Sequence, residues 1–213
     1  MSNNPQNKSR PKHPQITTPV GVARYPFLLR PNTRFDPDGE YRVTLILSKV
    51  EAQALIETID EALKASMEKA IAENPAKVDK IHPAKPPYST IINEAGDETD
   101  LVQFNFKSKA KIKPRNGSEP FFIKLAIFDA KGQMVSQDVR IGTGTKMKIC
   151  AEIVPYFTDL VGAGVKLRLK AVQITDLVEY TGPTASQFGF GLEDGYDTTA
   201  IPEEDDEPDD SDF

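Results

Sequence analysis

Lysines at alternating positions are the first sign of chemistry in this chain. Within residues 101–113, Lys107, Lys109, Lys111 and Lys113 occupy every second place, and Val102, Phe104, Phe106, Ala110 and Ile112 lie on the other parity. An extended backbone points successive side chains to opposite faces. The pattern therefore predicts one long strand with an apolar face and a file of ammonium groups about 7 Å apart. Arg115 follows directly. The motif recurs where Lys146 and Lys148 alternate with Met147 and Ile149, and where Lys166, Arg168 and Lys170 alternate with Leu167 and Leu169. Files of fixed cations suit the phosphates of a nucleic-acid backbone. Holding bases as well requires exposed aromatic faces beside them. In a strand expected over residues 121–128, Phe122 and Phe128 share the outward face with Lys124 and are the first stacking candidates. Tyr25, Tyr88, Tyr156 and Phe157, in loops or at strand ends, come second. The plain alternative is a solvated lysine face with these aromatics buried under a helix or loop.

The cations are matched by an opposite charge elsewhere. Residues 193–213 hold eleven acidic side chains and no basic one, so the net charge of −6 divides into −11 there and +5 over residues 1–192. Such asymmetry points to a nucleic-acid partner and an interaction tail, with mere solubility as the alternative. Phe213 weighs against the latter, because a solubilising segment gains nothing from an exposed ring.

Several chemistries are excluded. His13 and His82 are the only histidines, and neither has cysteines or carboxylates at metal-ligand spacing, so no metal site or cofactor is expected. Cys150, the only cysteine, lacks a histidine near it in sequence and reads as an inert strand thiol. Gly142-Thr143-Gly144 leads into a strand rather than a helix, which fails the context for a phosphate-cradling loop. No catalytic constellation remains, so no enzymatic activity is expected. A single cysteine, no secretory leader and no run of about 18 apolar residues predict a protein of the cytoplasm without a membrane span.

The elements that must position the cations follow from periodicity. Residues 1–16 are polar and basic and read as a disordered arm. Residues 17–29 read as a bent or edge strand carrying Pro19 and Pro26. Residues 41–47 alternate, with Val43, Leu45 and Leu47 inward and Arg42 and Thr44 outward. Ser48 and Glu51 form a capping box that opens a helix over about 49–73, whose Leu55, Ile59, Leu63, Met67 and Ala70 make one apolar stripe. Residues 76–99 read as a proline-bearing loop with a short apolar run at 88–92. Strands over 146–154 and 165–180 complete the set, and the parity slip near Ala171 and Val172 predicts a bulge. The result is a mainly β chain: a five-stranded, OB-fold-like antiparallel barrel over residues 17–180, one long inserted helix, and an acidic disordered tail over 181–213.

The order of these elements resembles a known family. Arg24-Tyr25-Pro26, the capped helix, the lysine strand, Ile141-Gly142-Thr143-Gly144-Thr145 and Gly164-Val165-Lys166-Leu167-Arg168-Leu169-Lys170-Ala171-Val172-Gln173 are similar to segments of the tailed-phage single-stranded DNA-binding proteins. The resemblance implies coating and protection of single-stranded DNA without sequence preference in phage DNA replication, recombination or repair, in the host cytoplasm. It also implies that the tail competes with DNA and docks replication or recombination proteins through Asp209, Asp210, Asp212 and Phe213. Self-association on DNA is left open. One departure is the absence of tryptophan, which leaves stacking to Phe or Tyr. The alternative reading is a non-enzymatic adaptor whose acidic tail is the active part. A continuous basic groove would favour the first reading and scattered lysines the second.

Overall fold

The computed structural model describes residues 13–114, 117–180, 182 and 188–195. In chain order the strands are β1 (Gln15–Thr17), β2 (Gly21–Asn32), β3 (Glu40–Ser48), β4 (Tyr88–Ile92), β5 (Glu98–Lys109), β6 (Lys111–Ile112), β7 (Phe121–Phe122), β8 (Ala126–Phe128), β9 (Lys146–Thr158) and β10 (Gly162–Asp176). Helix α1 (Lys49–Glu73) follows β3. The five long strands close a ring, because β9 pairs with β2, β2 with β3, β3 with β5, β5 with β10, and β10 again with β9. This is the barrel expected from the strand pattern, with β1, β4 and β8 added at its margins. One seam departs from an all-antiparallel ring: β5 and β10 run parallel, joined at Leu167↔Phe106 and Arg168↔Lys107. No hairpin links these two strands in sequence, so turn geometry does not fix their direction.

Alternation fills the barrel. Val43, Leu45 and Leu47 of β3, Phe104 and Phe106 of β5, Met147, Ile149 and Ile153 of β9, and Val165, Leu167 and Leu169 of β10 are all buried. Phe104 and Phe106 thus belong to the core, as their parity indicates. Helix α1 covers the interior from one side with Ala52, Leu55, Ile59, Ser66 and Ala70. Ser66 escapes a reading based on apolar spacing; its hydroxyl donates to the Gly164 carbonyl at 2.9 Å and ties the helix to β10. Tyr88 of β4 donates to the Asp60 carboxylate at 2.6 Å and packs its ring 5.7 Å from Phe104. Burial, reinforced by Asp60, pushes the Tyr88 phenol up to about 12. Tyr88 is therefore a helix anchor.

The structure corrects three boundaries. Gln15 and Ile16, placed by sequence in the arm, pair with Glu152 and Ala151 in β1. The lysine run is not one strand. Ala110 interrupts it, donating its amide to Gly39 and accepting from Ile123, and β6 restarts on a separate ribbon with β7. Residues 121–128 likewise divide, because the Ile123 amide is drawn to Ala110 while β8 joins β10. Phe122 and Phe128 consequently do not share a face. The bulge falls at Lys170, where the register slips between Leu169 and Ala171, and Val172 and Ile174 are buried beyond it.

Residues Thr181–Phe213 form a second unit by contact pattern. Among its described residues, the rings of Phe188 and Phe190 stack with centroids 6.2 Å apart.

The capping box forms as the sequence predicts: the Glu51 amide donates to Ser48 Oγ, and the Ser48 amide donates to the Glu51 carboxylate, both at 3.3 Å. Ser48→Ala removes one of these acceptors. It should cost about 1 kcal/mol and lower the thermal midpoint by about 2–4 °C in a domain of this size. An unchanged midpoint by calorimetry would show that packing alone sets the helix start.

Candidate nucleic-acid interface

The register places one row of outward side chains across the barrel. Phe27 of β2 lies opposite Arg42 of β3, Arg42 opposite Lys107 of β5, Lys107 opposite Arg168 of β10, and Arg168 opposite Glu152 of β9. Three neighbouring strands thus present three cations side by side across about 10 Å. Like charges directly opposite on a sheet oppose folding by roughly 0.2–1 kcal/mol per pair. Local acids offset only part of this. Glu40 approaches Lys107 at 3.4 Å, and Glu152 accepts from Arg168 at 2.5 and 2.8 Å. Arg42 has no carboxylate within 4 Å among the described residues; its guanidinium lies 5.0 Å over the Phe27 ring instead.

Around the row runs a shallow channel. One stretch is lined by Tyr25, Arg42, Thr44, Asn105 and Lys107. The next shares Asn105 and Lys107 and adds Lys85, Lys109, Lys166 and Arg168. A third shares Arg168 and adds Lys170, Lys124 and Phe121. Strands two and three of the ring (β3 and β5) form its floor, the face on which OB-folds hold oligonucleotides. Lys85 comes from the proline-bearing loop, held against β10 by backbone bonds between Ala84 and Ala163 and between Ala163 and His82. Gly164 makes this approach possible. A Cβ there would sit 2.7 Å from both Ala84 Cβ and the Tyr156 hydroxyl.

Tyr25 is held in an unusual way. Its φ is +51°, the one positive value among the described non-glycine residues, and β2 breaks register with β3 between Arg24 and Phe27. Such a backbone persists only where its surroundings impose it. Here Pro26 follows, and the Tyr25 amide donates to Thr143 Oγ1 at 3.1 Å. The residue is 62% exposed, and the Arg24 guanidinium lies 5.5 Å from the centre of its ring. The Gly142-Thr143-Gly144 motif therefore acts as a brace: Gly142 packs against the Val178 carbonyl, Gly144 takes φ +98°, and its amide reaches the Ala23 carbonyl.

Of the residues singled out by sequence, Tyr25, Lys107, Lys109, Lys124, Lys166 and Arg168 meet along the channel. Lys111, Lys113 and Phe122 lie on the β6–β7 ribbon. Both lysines pair there with Asp38, Lys111 at 3.5 Å, and Lys111 lies 5.5 Å over the 68%-exposed Phe122 ring. Phe128 and Lys148 line a different hollow with Cys150 and Gln173, and Lys146 is paired with Asp176 at 3.1 Å. These three are not brought to the channel, because Phe128 and Lys148 flank Gln173 and Lys146 faces Asp176, all further along β10, past its register slip. Arg115, Asp209, Asp210, Asp212 and Phe213 lie outside the described residues. Sequence reasoning missed Arg42, Phe27 and Lys85 as site residues. The outward parity of Arg42 was a usable signal; the placing of Lys85 beside β10 was not visible.

Glu152 collects Arg168 and Lys170, the latter at 3.3 Å. Burial pushes this carboxyl up, but the hydrogen bonds and charges of Arg168 and Lys170 outweigh it and hold Glu152 below its usual range. A carboxylate lowered in the folded state contributes stability that is complete above its unfolded pKa and is lost as pH falls through the folded value. Glu152→Gln should therefore be less stable than the parent by about 1 kcal/mol or less at neutral pH. The gap should close as pH drops below the carboxylate range. A gap in urea unfolding that is flat with pH would reject the ion pairs as its source.

Comparison with known proteins bears on this geometry. Residues 21–177 match the family model described as single-stranded DNA-binding protein, bacteriophage T7. The single-stranded DNA-binding protein of enterobacteria phage T3 is 30% identical over 193 residues, covering 84% of this chain and 83% of the relative. That of Escherichia phage T7 is 29% identical, covering 78% of each chain. The crystal structure of gp2.5, a single-stranded DNA-binding protein encoded by bacteriophage T7, superposes with a TM-score of 0.69 at 25% identity, over 86% of this chain and 98% of that one. The protein from bacteriophage Enc34, in complex with single-stranded DNA, shares the fold at a TM-score of 0.55 and 13% identity, over 79% of this chain and 89% of that one. With the family model spanning the whole barrel and its basic row, the chain belongs to the bacteriophage T7 type of single-stranded DNA-binding proteins.

Proposed function

We propose that the protein binds single-stranded DNA along the channel, without sequence preference, as part of phage DNA replication, recombination or repair. The observation that carries this reading is the row Arg42–Lys107–Arg168, three adjacent cations whose mutual repulsion an incoming phosphate chain relieves. Tyr25 stacks on a base above the row, and Lys85, Lys109, Lys166 and Lys124 follow the backbone to either side. Lys111, Lys113 and Phe122 extend the contact from the ribbon, and Arg115, a further cation in the sequence, adds to it. An adaptor acting only through its acidic segment would leave the row without a purpose.

The test is a titration with poly-dT over a range of salt. Each phosphate held contributes a log–log slope of about −0.7. Arg42→Gln and Lys107→Gln should each weaken binding and make the slope shallower by about that amount. Tyr25→Ala should cost about 1–3 kcal/mol of affinity with the slope unchanged. Affinity of the parent that is flat between about 50 and 200 mM salt would sink the reading.

The acidic segment supports a second part of the proposal. Eleven negative charges carried on the same chain compete with DNA for the channel as an intramolecular mimic, and Phe213 with Asp209, Asp210 and Asp212 engages a partner replication or recombination protein. Removing residues 193–213 should tighten DNA binding most at about 50 mM salt, with the difference fading as screening rises. Phe213→Ala should leave DNA affinity unchanged and abolish partner capture, because charge alone suffices for competition. Unchanged affinity on removal of the segment would reject competition, and loss of both properties with Phe213→Ala would reject the division of roles.

A further inference from the structure

The channel described above ends at Tyr25, but the surface beyond it has the same chemistry. Strand β2 is bonded toward β9 only at its beginning: Gly21 and Val22 pair with Met147 and Lys146, and Ala23 exchanges bonds with Gly144 and Thr145. From Pro26 to Arg30 no backbone bond joins this edge to residues 139–141 facing it. Between them lies a hollow of about 320 Å³. Phe27 and Tyr180 line it as partly exposed residues, 36% and 57% accessible, and Arg30 and Arg140 supply two guanidinium groups. No carboxylate lines it, and neither arginine has an acid within 4 Å among the described residues. The far wall is braced, since the Tyr180 amide donates to the Arg140 carbonyl at 2.8 Å and the Gly142 amide to Val178 at 2.7 Å. Phe27 stands on the border, forming the wall of this hollow while its ring lies under Arg42 of the main row.

Two exposed aromatics with two unpaired arginines make a receptor for a nucleotide: planar rings for the base, guanidinium forks for the phosphate. Two alternatives fit less well. An acidic peptide would use the arginines but needs an aromatic of its own to use the rings, and an apolar segment would leave both cations stranded. Continuity through Phe27 selects the occupant. We propose that this hollow is a further subsite for the same single strand, so that the bound DNA crosses β2 and places a base against Phe27 and Tyr180 and its phosphates on Arg30 and Arg140. The proposal rests on the channel reading above and extends its path.

Oligo-dT of increasing length tests it, using the full chain. Parent affinity should keep rising with length after the main channel is filled, and then level off. The Arg30→Gln/Arg140→Gln double variant should match the parent on the shortest oligonucleotides, level off at a shorter length, and show a salt slope shallower by about 1.4 on long ones. Tyr180→Ala should lose about 5-fold or more on long oligonucleotides alone, with the slope retained. Parent-like behaviour of both variants at every length would overturn the subsite. An equal loss at all lengths would also overturn it, since that marks a general field rather than a place on the path. An Arg42→Gln/Lys107→Gln variant separates the two readings. If it loses affinity on short oligonucleotides while the hollow variants do not differ from the parent, only the subsite falls; if it also binds like the parent, the channel reading fails first.

Discussion

The short parallel seam between β5 and β10 is the constraint on which the rest depends. Two register pairs make it, Leu167 with Phe106 and Arg168 with Lys107. On the inner side the seam closes the barrel, bringing two fully buried side chains together and ending the open edge that a five-stranded sheet would otherwise expose. On the outer side the same closure sets Arg168 next to Lys107, which β3 has already set next to Arg42. Core closure and charge crowding are thus one event. The sheet cannot bury Leu167 and Phe106 without putting two like charges side by side, and the apolar burial, roughly 1.5–3 kcal/mol for each large side chain, outweighs a repulsion of roughly 0.2–1 kcal/mol. The folded protein carries that repulsion as a standing preference for an anion on this face.

Glycines that resemble a binding motif in the sequence turn out to act on backbone packing. Gly164 admits the loop that delivers Lys85, and Gly142 and Gly144 let residues 142–145 reach β2 and brace the strained Tyr25. Both motifs work through the backbone. Each removes a Cβ at a point where two backbones must approach, and the functional side chain stands one or two residues away. This division keeps the exposed ring and the exposed ammonium on rigid supports, which limits the ordering needed on binding.

Much of this was legible beforehand. The inward and outward parity of β3, β5, β9 and β10, the capping box at Ser48 and Glu51, and the slip of β10 all follow from local spacing, because alternation is a property of one strand at a time. What could not be read was which strands become neighbours. Lys107, Lys146 and Lys148 look alike as outward lysines, yet register puts Lys107 in the row, Lys148 in a separate hollow, and Lys146 at the end of the β9–β10 ladder. The division of residues 121–128 depends on a bond from Ile123 to Ala110, and the placing of Arg30 and Arg140 on one hollow depends on a chain crossing of similar range. Local pattern sets the face of a side chain, and long-range pairing sets its company.

The acids within the channel follow from the same balance. A surface of unpaired cations would repel itself and lower stability, so Glu40, Asp38 and Glu152 sit beside Lys107, the Lys111–Lys113 pair and Arg168. They also hold long side chains in place, since Lys113 and Lys111 keep Asp38 ionised and Asp38 in turn fixes the ribbon that carries them. A phosphate arriving at such a pair exchanges with a carboxylate instead of filling an empty site, and gains less than it would on a free cation. Arg42, Lys109, Lys166 and Lys85 have no acid within 4 Å among the described residues and offer the full interaction. The channel therefore alternates cations that are already satisfied with cations that are not. For the proposed DNA strand the unpaired cations offer the larger gain, and the paired ones, Lys107 and Arg168 among them, still contribute while their carboxylates hold them in place. A sheet built in this way suits the proposed mode of binding, in which a strand of any sequence is held at a few points and more loosely between them.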